Sequence, residues 1–437
     1  MEWWSLGIII VAAFLFLSLM GVPIAFTLGF MSTAYICIFW PEALPQIAFT
    51  SFGKAFSFEL VSLPLFVFMA EILVASRANE DAFDTIYKWV GPLPGGLAVA
   101  ANILCGIFGA TCGVASAGIA SIGRISIPEM LKRNYNKYLT VGSVTAGATV
   151  VELIPPSIFM ILIGVISETS IGRLFMGGFI PGAIQIGIFS LYIIWRSATI
   201  PGYGPRAVGI TWKDKWLSLY KILPLTILAA CLFGGLYSGI ATATEVASVG
   251  VVVAFFITLL YKRFTWEVLK KAIFNTVRIT AFIMWILFAA AIFSQMFTKL
   301  GISQGFSEWM LKLPFGKYGV IIVINFILLI LGCFIDPAGI IMITVPIFVP
   351  IVERLGFDLV WFGVMFTINM EVALLTPPLG LNLFVVKNIL PPELKDFSFG
   401  DVCKSIVPYL FLAMGVIAII IIFPDLVTWL PNKMIKR

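Results

Sequence analysis

The chain has 437 residues, of which 60% are hydrophobic and 11% charged, and its formal net charge is +6. Soluble globular domains are about 25% charged, so this composition describes a polytopic membrane protein whose spans need roughly 20 apolar residues each. There is no His, which excludes imidazole catalysis and His-ligated metals. The six Cys (37, 105, 112, 231, 333 and 403) sit singly in apolar runs without metal spacing or a disulfide framework. No phosphate-binding G-x-x-x-x-G-K-[ST] run occurs, so nothing supports direct use of ATP. No nucleic-acid partner is expected.

In chain order, apolar spans are predicted near 5–20, 22–39, 58–76, 138–167, 172–195, 222–238, 240–261, 279–298, 358–390 and 403–424. Met1-Glu2-Trp3-Trp4 lacks the basic run of a cleaved signal, so the first apolar segment is expected to be retained. Residues 79–89 and 304–312 mix charge with Trp or Tyr, a pattern suited to helices lying in the membrane interface; ordinary polar loops are the alternative. The apolar stretches 95–123 and 316–350 have Gly-rich or Pro-rich centres. Both are read as re-entrant helical hairpins that enter and leave on one side, with ordinary spans as the alternative.

Spans 138–167 and 358–390 are each broken by a proline pair, Ile154-Pro155-Pro156-Ser157 and Thr376-Pro377-Pro378-Leu379-Gly380-Leu381-Asn382. Proline removes a backbone donor and clashes with the preceding turn. A bilayer tolerates this only where the freed groups find partners, as in a buried ion or solute site. The breaks lie 222 residues apart, from Pro155 to Pro377. Gly21-Val22-Pro23 recurs as Gly239-Ile240-Ala241-Thr242 after 218 residues, span 58–76 matches 279–298, and Gly109 matches Gly332 after 223. Five crossings separate equivalent spans. An odd number makes the repeat inverted, the arrangement of secondary transporters with a midplane site.

With the hairpins counted as zero crossings and the N-terminus outside, 19 of the 28 Lys and Arg fall on the cytoplasmic side, in segments 77–88, 124–137, 196–221, 262–278 and 387–404. This fits the positive-inside rule. Lys433, Lys436 and Arg437 then lie outside, and the side of the C-terminus depends on one helix being counted correctly.

The first hairpin centre contains Gly109, Thr111, Gly113, Ser116 and Gly118. Small residues let backbones approach, glycine permits an unwound turn, and the hydroxyls of Thr111 and Ser116 suit a hard cation. A packing face of small residues is the alternative. The second hairpin centre holds Gly332, Asp336, Pro337 and Gly339. An intramembrane acid is a functional candidate, while an Asp before Pro also reads as a helix cap. Glu152 and Glu371 precede the two breaks by three and six residues, near an ion or solute or paired with a base. Glu245 reads as a cap at a helix start, and Arg124 and Arg173 as snorkelling residues. Asn382 lies in the second break, where a ligand role is favoured. Asn369 and Asn325 are divided between helix–helix hydrogen bonding and function.

These motifs resemble the large membrane subunit of tripartite ATP-independent periplasmic (TRAP) transporters over nearly the whole chain. The residues are Leu63-Pro64-Leu65-Phe66, Gly95-Gly96-Leu97, Pro155-Pro156-Ser157, Gly177-Gly178-Phe179-Ile180-Pro181-Gly182, Gly239 through Glu245, Asp336-Pro337 and Thr376 through Asn382. The resemblance implies an all-α elevator transporter of the bacterial inner membrane, driven by a Na⁺ gradient. Scaffold would occupy 1–92 and 197–313, and a moving transport domain 93–196 and 314–437. It implies a separate four-helix membrane subunit and a periplasmic binding protein that delivers a small organic anion. Two or more Na⁺ would sit between hairpin tips and breaks. One site falls near Thr111, Gly113, Ser116, Pro155 and Ser157, the other near Gly332, Asp336, Gly339, Thr376, Pro378 and Gly380. Solute contacts are expected from Thr111, Ser116, Glu152, Ser157, Asn369, Thr376 and Asn382. The chain departs from the family pattern at Glu152, near where Gly is common, and at Ala243, where Pro is common. An uncoupled anion channel, or an ion-coupled carrier needing no partners, are the rival readings.

Overall fold

The computed structural model describes residues 2–76 and 78–434; Arg77, Lys436 and Arg437, all used in the charge assignment, lie outside them. The described residues form α-helices joined by short turns and 3₁₀ segments. The first half contains α1 (Trp3–Leu19), α2 (Ile24–Phe39), α3 (Leu44–Ala55), α4 (Ser62–Val74), α5 (Ala78–Val90), α6 (Gly96–Cys112), α7 (Ala115–Lys132), α8 (Lys137–Thr149), α9 (Ile158–Ser167) and α10 (Ile171–Thr199). The second half contains α11 (Trp212–Tyr237), α12 (Ala243–Leu260), α13 (Trp266–Lys299), α14 (Ile302–Leu311), α15 (Gly316–Gly332), α16 (Pro337–Arg354), α17 (Leu359–Leu375), α18 (Leu381–Ile389) and α19 (Phe399–Ile422), followed by α20 (Asp425–Lys433). Six of these are long and apolar enough to cross a membrane, or seven if the bent pair Pro41–Ala55 and Phe58–Val74 is one span.

The expected elements are present: two hairpins (α6–α7 and α15–α16), two broken helices (α8–α9 and α17–α18) and two amphipathic connectors (α5 and α14). Helix starts follow local chemistry. At α12, Thr242 Oγ1 accepts from the Glu245 N–H at 3.3 Å and Glu245 Oε2 accepts from the Thr242 N–H at 2.7 Å, the capping box expected of Glu245.

Three features differ from the sequence expectation. Helix α3 was not anticipated. It has no buried residue, and its apolar Phe49 and Phe52 are exposed, so nothing in it reads as a buried span. Helix α13 begins at Trp266 rather than near 279 because Glu267, Lys270, Lys271 and Arg278 continue the helix as a charged extension, started by a Thr265 cap on the Val268 N–H. Its 34 residues span about 51 Å, well beyond a hydrocarbon core of about 30 Å. Last, Gly332 ends α15 while Gly109 lies inside α6, one turn before its end at Cys112. Aligning the hairpin arms pairs Gly332 with Cys112, not Gly109.

The two halves exchange partners. Helix α2 packs on α13 and its counterpart α12 packs on α4; α5 packs on α11 and its counterpart α14 on α1. The hairpins and broken helices do the same: α7 lies against α18 and α16 against α9. This is the contact pattern of an inverted repeat about a pseudo-two-fold axis. The strict equivalence fails at one place. The α3–α4 pair is bent by 58°, whereas the corresponding α13 is continuous.

The segments assigned to one side by charge gather on one face. Lys221 on α11 bonds Asp84 on α5 at 3.1 Å and lies 3.9 Å from Asp81. The Gly95 N–H donates to Gly204 O and the Asn136 N–H to Tyr203 O, and Tyr138 Oη donates to Asp401 Oδ1 at 3.0 Å. The opposite face carries Arg173, 3.5 Å from Asp358 and bonded to Asn432 beside Lys433.

Partial burial pushes the Asp84 carboxyl up, but bonds from Lys88 and Lys221 outweigh it and hold Asp84 below its ordinary value. Its contribution to stability is therefore present near neutral pH and lost as pH falls through that lowered value. Lys221→Met should cost about 1 kcal/mol or less, since the pair is partly solvated. Melting curves of wild type and variant should converge at acid pH; a gap that persists there contradicts the assignment.

Candidate ion and solute site

Each hairpin tip rests in the break of its own half. In the first half α6 ends at Gly113, φ +64°. A Cβ there would stand 2.1 Å from Pro156 O, so the tip approaches the break as only glycine allows. The Ala115 N–H, the first of α7, donates 2.9 Å to Glu152 Oε1 from the other side of the break. An acidic group at a helix start satisfies an orphan donor and complements the helix dipole. In the second half the Leu379 N–H of the break donates to Cys333 O of the tip at 3.3 Å. A Cβ on Gly332 would meet Ala373 at 2.5 Å. Both proline pairs, Pro155-Pro156 and Pro377-Pro378, are cis.

In each half two helix C-termini (α6 and α8; α15 and α17) and two N-termini (α7 and α9; α16 and α18) come together. Carbonyl ends favour cations and N–H ends favour anions. The site therefore offers both polarities from backbone alone.

The expected residues divide as follows. Thr111 is buried and its hydroxyl donates to Phe108 O at 2.9 Å, leaving its lone pairs free. Ser157 is buried and caps α9, its Oγ accepting from the Met160 N–H at 3.2 Å. Pro155 is buried beside it, and Ser116 is exposed on the first turn of α7. In the second half Asp336 caps α16, its Oδ1 accepting from Ala338 N–H at 3.0 Å and Gly339 N–H at 3.2 Å. Thr376 donates to Val372 O at 2.7 Å. Gly380 has φ +34° and begins α18, and Pro378 is exposed. Asn382 is buried, with Nδ2 unpartnered. Asn369 is not at a tip. It bonds Asn325 Oδ1 and Met365 O, tying α17 to α15, which is the helix–helix role. The first break is sealed, while Pro377 and Pro378 leave the second accessible.

Glu152 is 4% exposed and holds the tip. Among the described residues Glu371 has no basic partner: its Oε2 accepts from Gln185 Nε2 on α10 at 2.7 Å. Gln185 was missed, although a Gln inside the apolar run of α10 was a visible signal. Beyond the breaks, a cavity of about 600 Å³ opens between Lys54, Ser57 and Glu59 on one wall and Glu168, Thr169 and Thr242 on the other.

Gly113→Ala should distort the first tip, through both the clash and the left-handed φ, and cost roughly 1–3 kcal/mol. Gly187→Ala, with open space around its Cβ, should melt like wild type. Equal melting of the two variants would mean that the tip is not tightly seated.

Residues 11–426 match the family model "Tripartite ATP-independent periplasmic transporter, DctM component". A C4-dicarboxylate TRAP transporter large permease protein of Pseudomonas aeruginosa is 31% identical over 93% of this chain and 94% of its own length. One from Rhodobacter capsulatus is 29% identical over 98% and 99%. A sialic acid TRAP transporter large permease protein of Vibrio cholerae is 28% identical over 94% and 95%. Among solved structures, the YdaH transporter of Alcanivorax borkumensis aligns with TM-score 0.55 and 15% identity, covering 88% of this chain and 89% of that one; this likeness speaks to fold alone. The chain is a multi-pass bacterial inner-membrane protein and belongs to the DctM component family of tripartite ATP-independent periplasmic transporters.

Proposed function

We propose that this protein imports a small organic anion, a carboxylate or sulfonate, driven by a Na⁺ gradient. The observation that carries the reading is the seating of each hairpin tip in its own break, which brings carbonyl ends and N–H ends of four helices to one place in each half. One Na⁺ would take oxygens from the Thr111–Gly113 tip and the Pro155–Ser157 break. Another would lie between Gly332–Gly339 and Thr376–Gly380. The anion would meet the helix N-termini and Ser116, Ser157 and Asn382. Relatives named for C4-dicarboxylate, sialic acid and isethionate support the anionic class.

The proposed moving body is 93–196 with 314–437, and the scaffold is 1–92 with 197–313. The cross-packing of α7 on α18 and α16 on α9 supports one compact unit, and that of α2 on α13 and α12 on α4 another. A small four-helix membrane subunit and a periplasmic binding protein complete the system. The basic face of α5, α11 and the start of α19 is assigned to the cytoplasm.

The test is thermal. Purified protein in NaCl should melt above the same protein in choline chloride, by an amount that grows with the logarithm of Na⁺ concentration. The absence of a Na⁺ shift, together with Na⁺-independent uptake in vesicles holding all three components, would sink the coupling. Asp336→Asn keeps the helix cap but removes the carboxylate. It should raise the Na⁺ concentration for half-maximal stabilisation by roughly tenfold; an unchanged midpoint would make Asp336 a cap and nothing more.

A further inference from the structure

Glu152, Gln185 and Glu371 lie on three elements that touch pairwise: the 3₁₀ turn Val150–Glu152, α10 and α17. All three side chains are buried, at 4%, 0% and 1% exposure. Each carries one oxygen without a partner: Glu152 Oε2, Gln185 Oε1 and Glu371 Oε1. Their other polar atoms are fixed, Glu152 Oε1 by the Ala115 N–H and Glu371 Oε2 by Gln185 Nε2. Among the described residues the cluster therefore consists of three acceptors without a donor. An unmet buried polar atom is costly, and a charged one more so.

The 3₁₀ turn that carries Glu152 touches α17, which carries Glu371, and among the described residues neither carboxyl forms an ion pair with Lys or Arg. Tyr409 of α19 packs further along α10, against Phe189 and Tyr192. Two like charges in one buried site do not both persist. Three oxygens also fall short of the six or more that hard cations such as Ca²⁺ take. A proton resolves both problems. On Glu371 Oε1 or Glu152 Oε2 it makes one acceptor a donor, which then serves Gln185 Oε1 or the opposite carboxylate.

We propose that the Glu152–Glu371–Gln185 cluster is a proton-binding site that holds one proton between its two carboxyl groups. The proton comes from water and returns to it, so the pair carries one negative charge when loaded and two when empty. Glu152 couples the site to the transport machinery because its other oxygen holds the start of α7 to the first break. When the pair is emptied, repulsion from Glu371 acts directly on that contact. Loading or emptying the pair therefore acts on the residue that joins the first hairpin to its break. The cluster adjoins the first proposed Na⁺ site through Ala115, and the paired measurements in NaCl and choline chloride below tell the two apart.

Stability should be present while the proton is bound and lost as pH rises. Wild type and Glu371→Gln are melted in detergent from about pH 6 to about pH 9, once in NaCl and once in choline chloride. Wild-type Tm should fall by roughly 2 °C or more across the range in both salts. Glu371→Gln is permanently neutral, keeps a donor for the cluster and should be flat. A flat wild type, or a variant with the wild-type slope, overturns the proposal. So does a slope seen in choline and abolished by Na⁺, which would make the cluster a cation site. If the variant does not fold, the wild-type infrared spectrum decides. A carbonyl band of a protonated carboxylic acid that disappears as pH rises through the same range supports the site, and its absence at the acid end overturns it.

Discussion

The architecture depends on one constraint, the need of every backbone polar group inside a bilayer for a partner. Two proline pairs release such groups in the middle of two helices. The hairpin tips supply what the breaks lack. In the second half this is a direct backbone bond, Leu379 N–H to Cys333 O. In the first half the roles are reversed: Glu152, just before the break, supplies an acceptor to the Ala115 N–H of the tip. Tip and break are thus joined once by backbone and once by a carboxylate. The carboxylate solution brings a buried charge with it, and that charge needs its own surroundings.

Those surroundings explain why polar residues of α10 and α17 gather behind the first break. Gln185 anchors Glu371, and Asn102 anchors α6 to α10 through Ile186 O and Ser190 Oγ. Asn325 and Asn369 do comparable work between α15 and α17. Side-chain hydrogen bonds between membrane helices are worth roughly 0.6–2 kcal/mol each, too little to define a fold alone but enough to fix register. The small residues set the distance between helices and the amides set their rotation.

Much of this was legible in the sequence because proline, glycine and lone polar residues in apolar runs have few interpretations. The breaks, hairpins, connectors and Glu245 cap all followed from such residues. The near-constant offset between halves predicted the repeat without any contact information. What stayed hidden was set by long-range packing. The first hairpin centre offered Gly109, Gly113 and Gly118, and which of them makes the closest approach is decided by Pro156, some forty residues on from Gly113. Glu371 was visible, but its partner lies on α10, beyond any spacing rule. Helix α3 buries nothing, so its Phe residues carried no core signal.

The bend between α3 and α4 has a further consequence. Residues Gly53 through Glu59, which make the bend, also form one wall of the polar cavity that faces the α9–α10 turn. The continuous α13 has no such elbow, so the second half has no matching wall. A chimera built from two copies of the second half would therefore keep both hairpins and both breaks but lose this vestibule. The two halves share their hairpins and breaks but not this cavity wall.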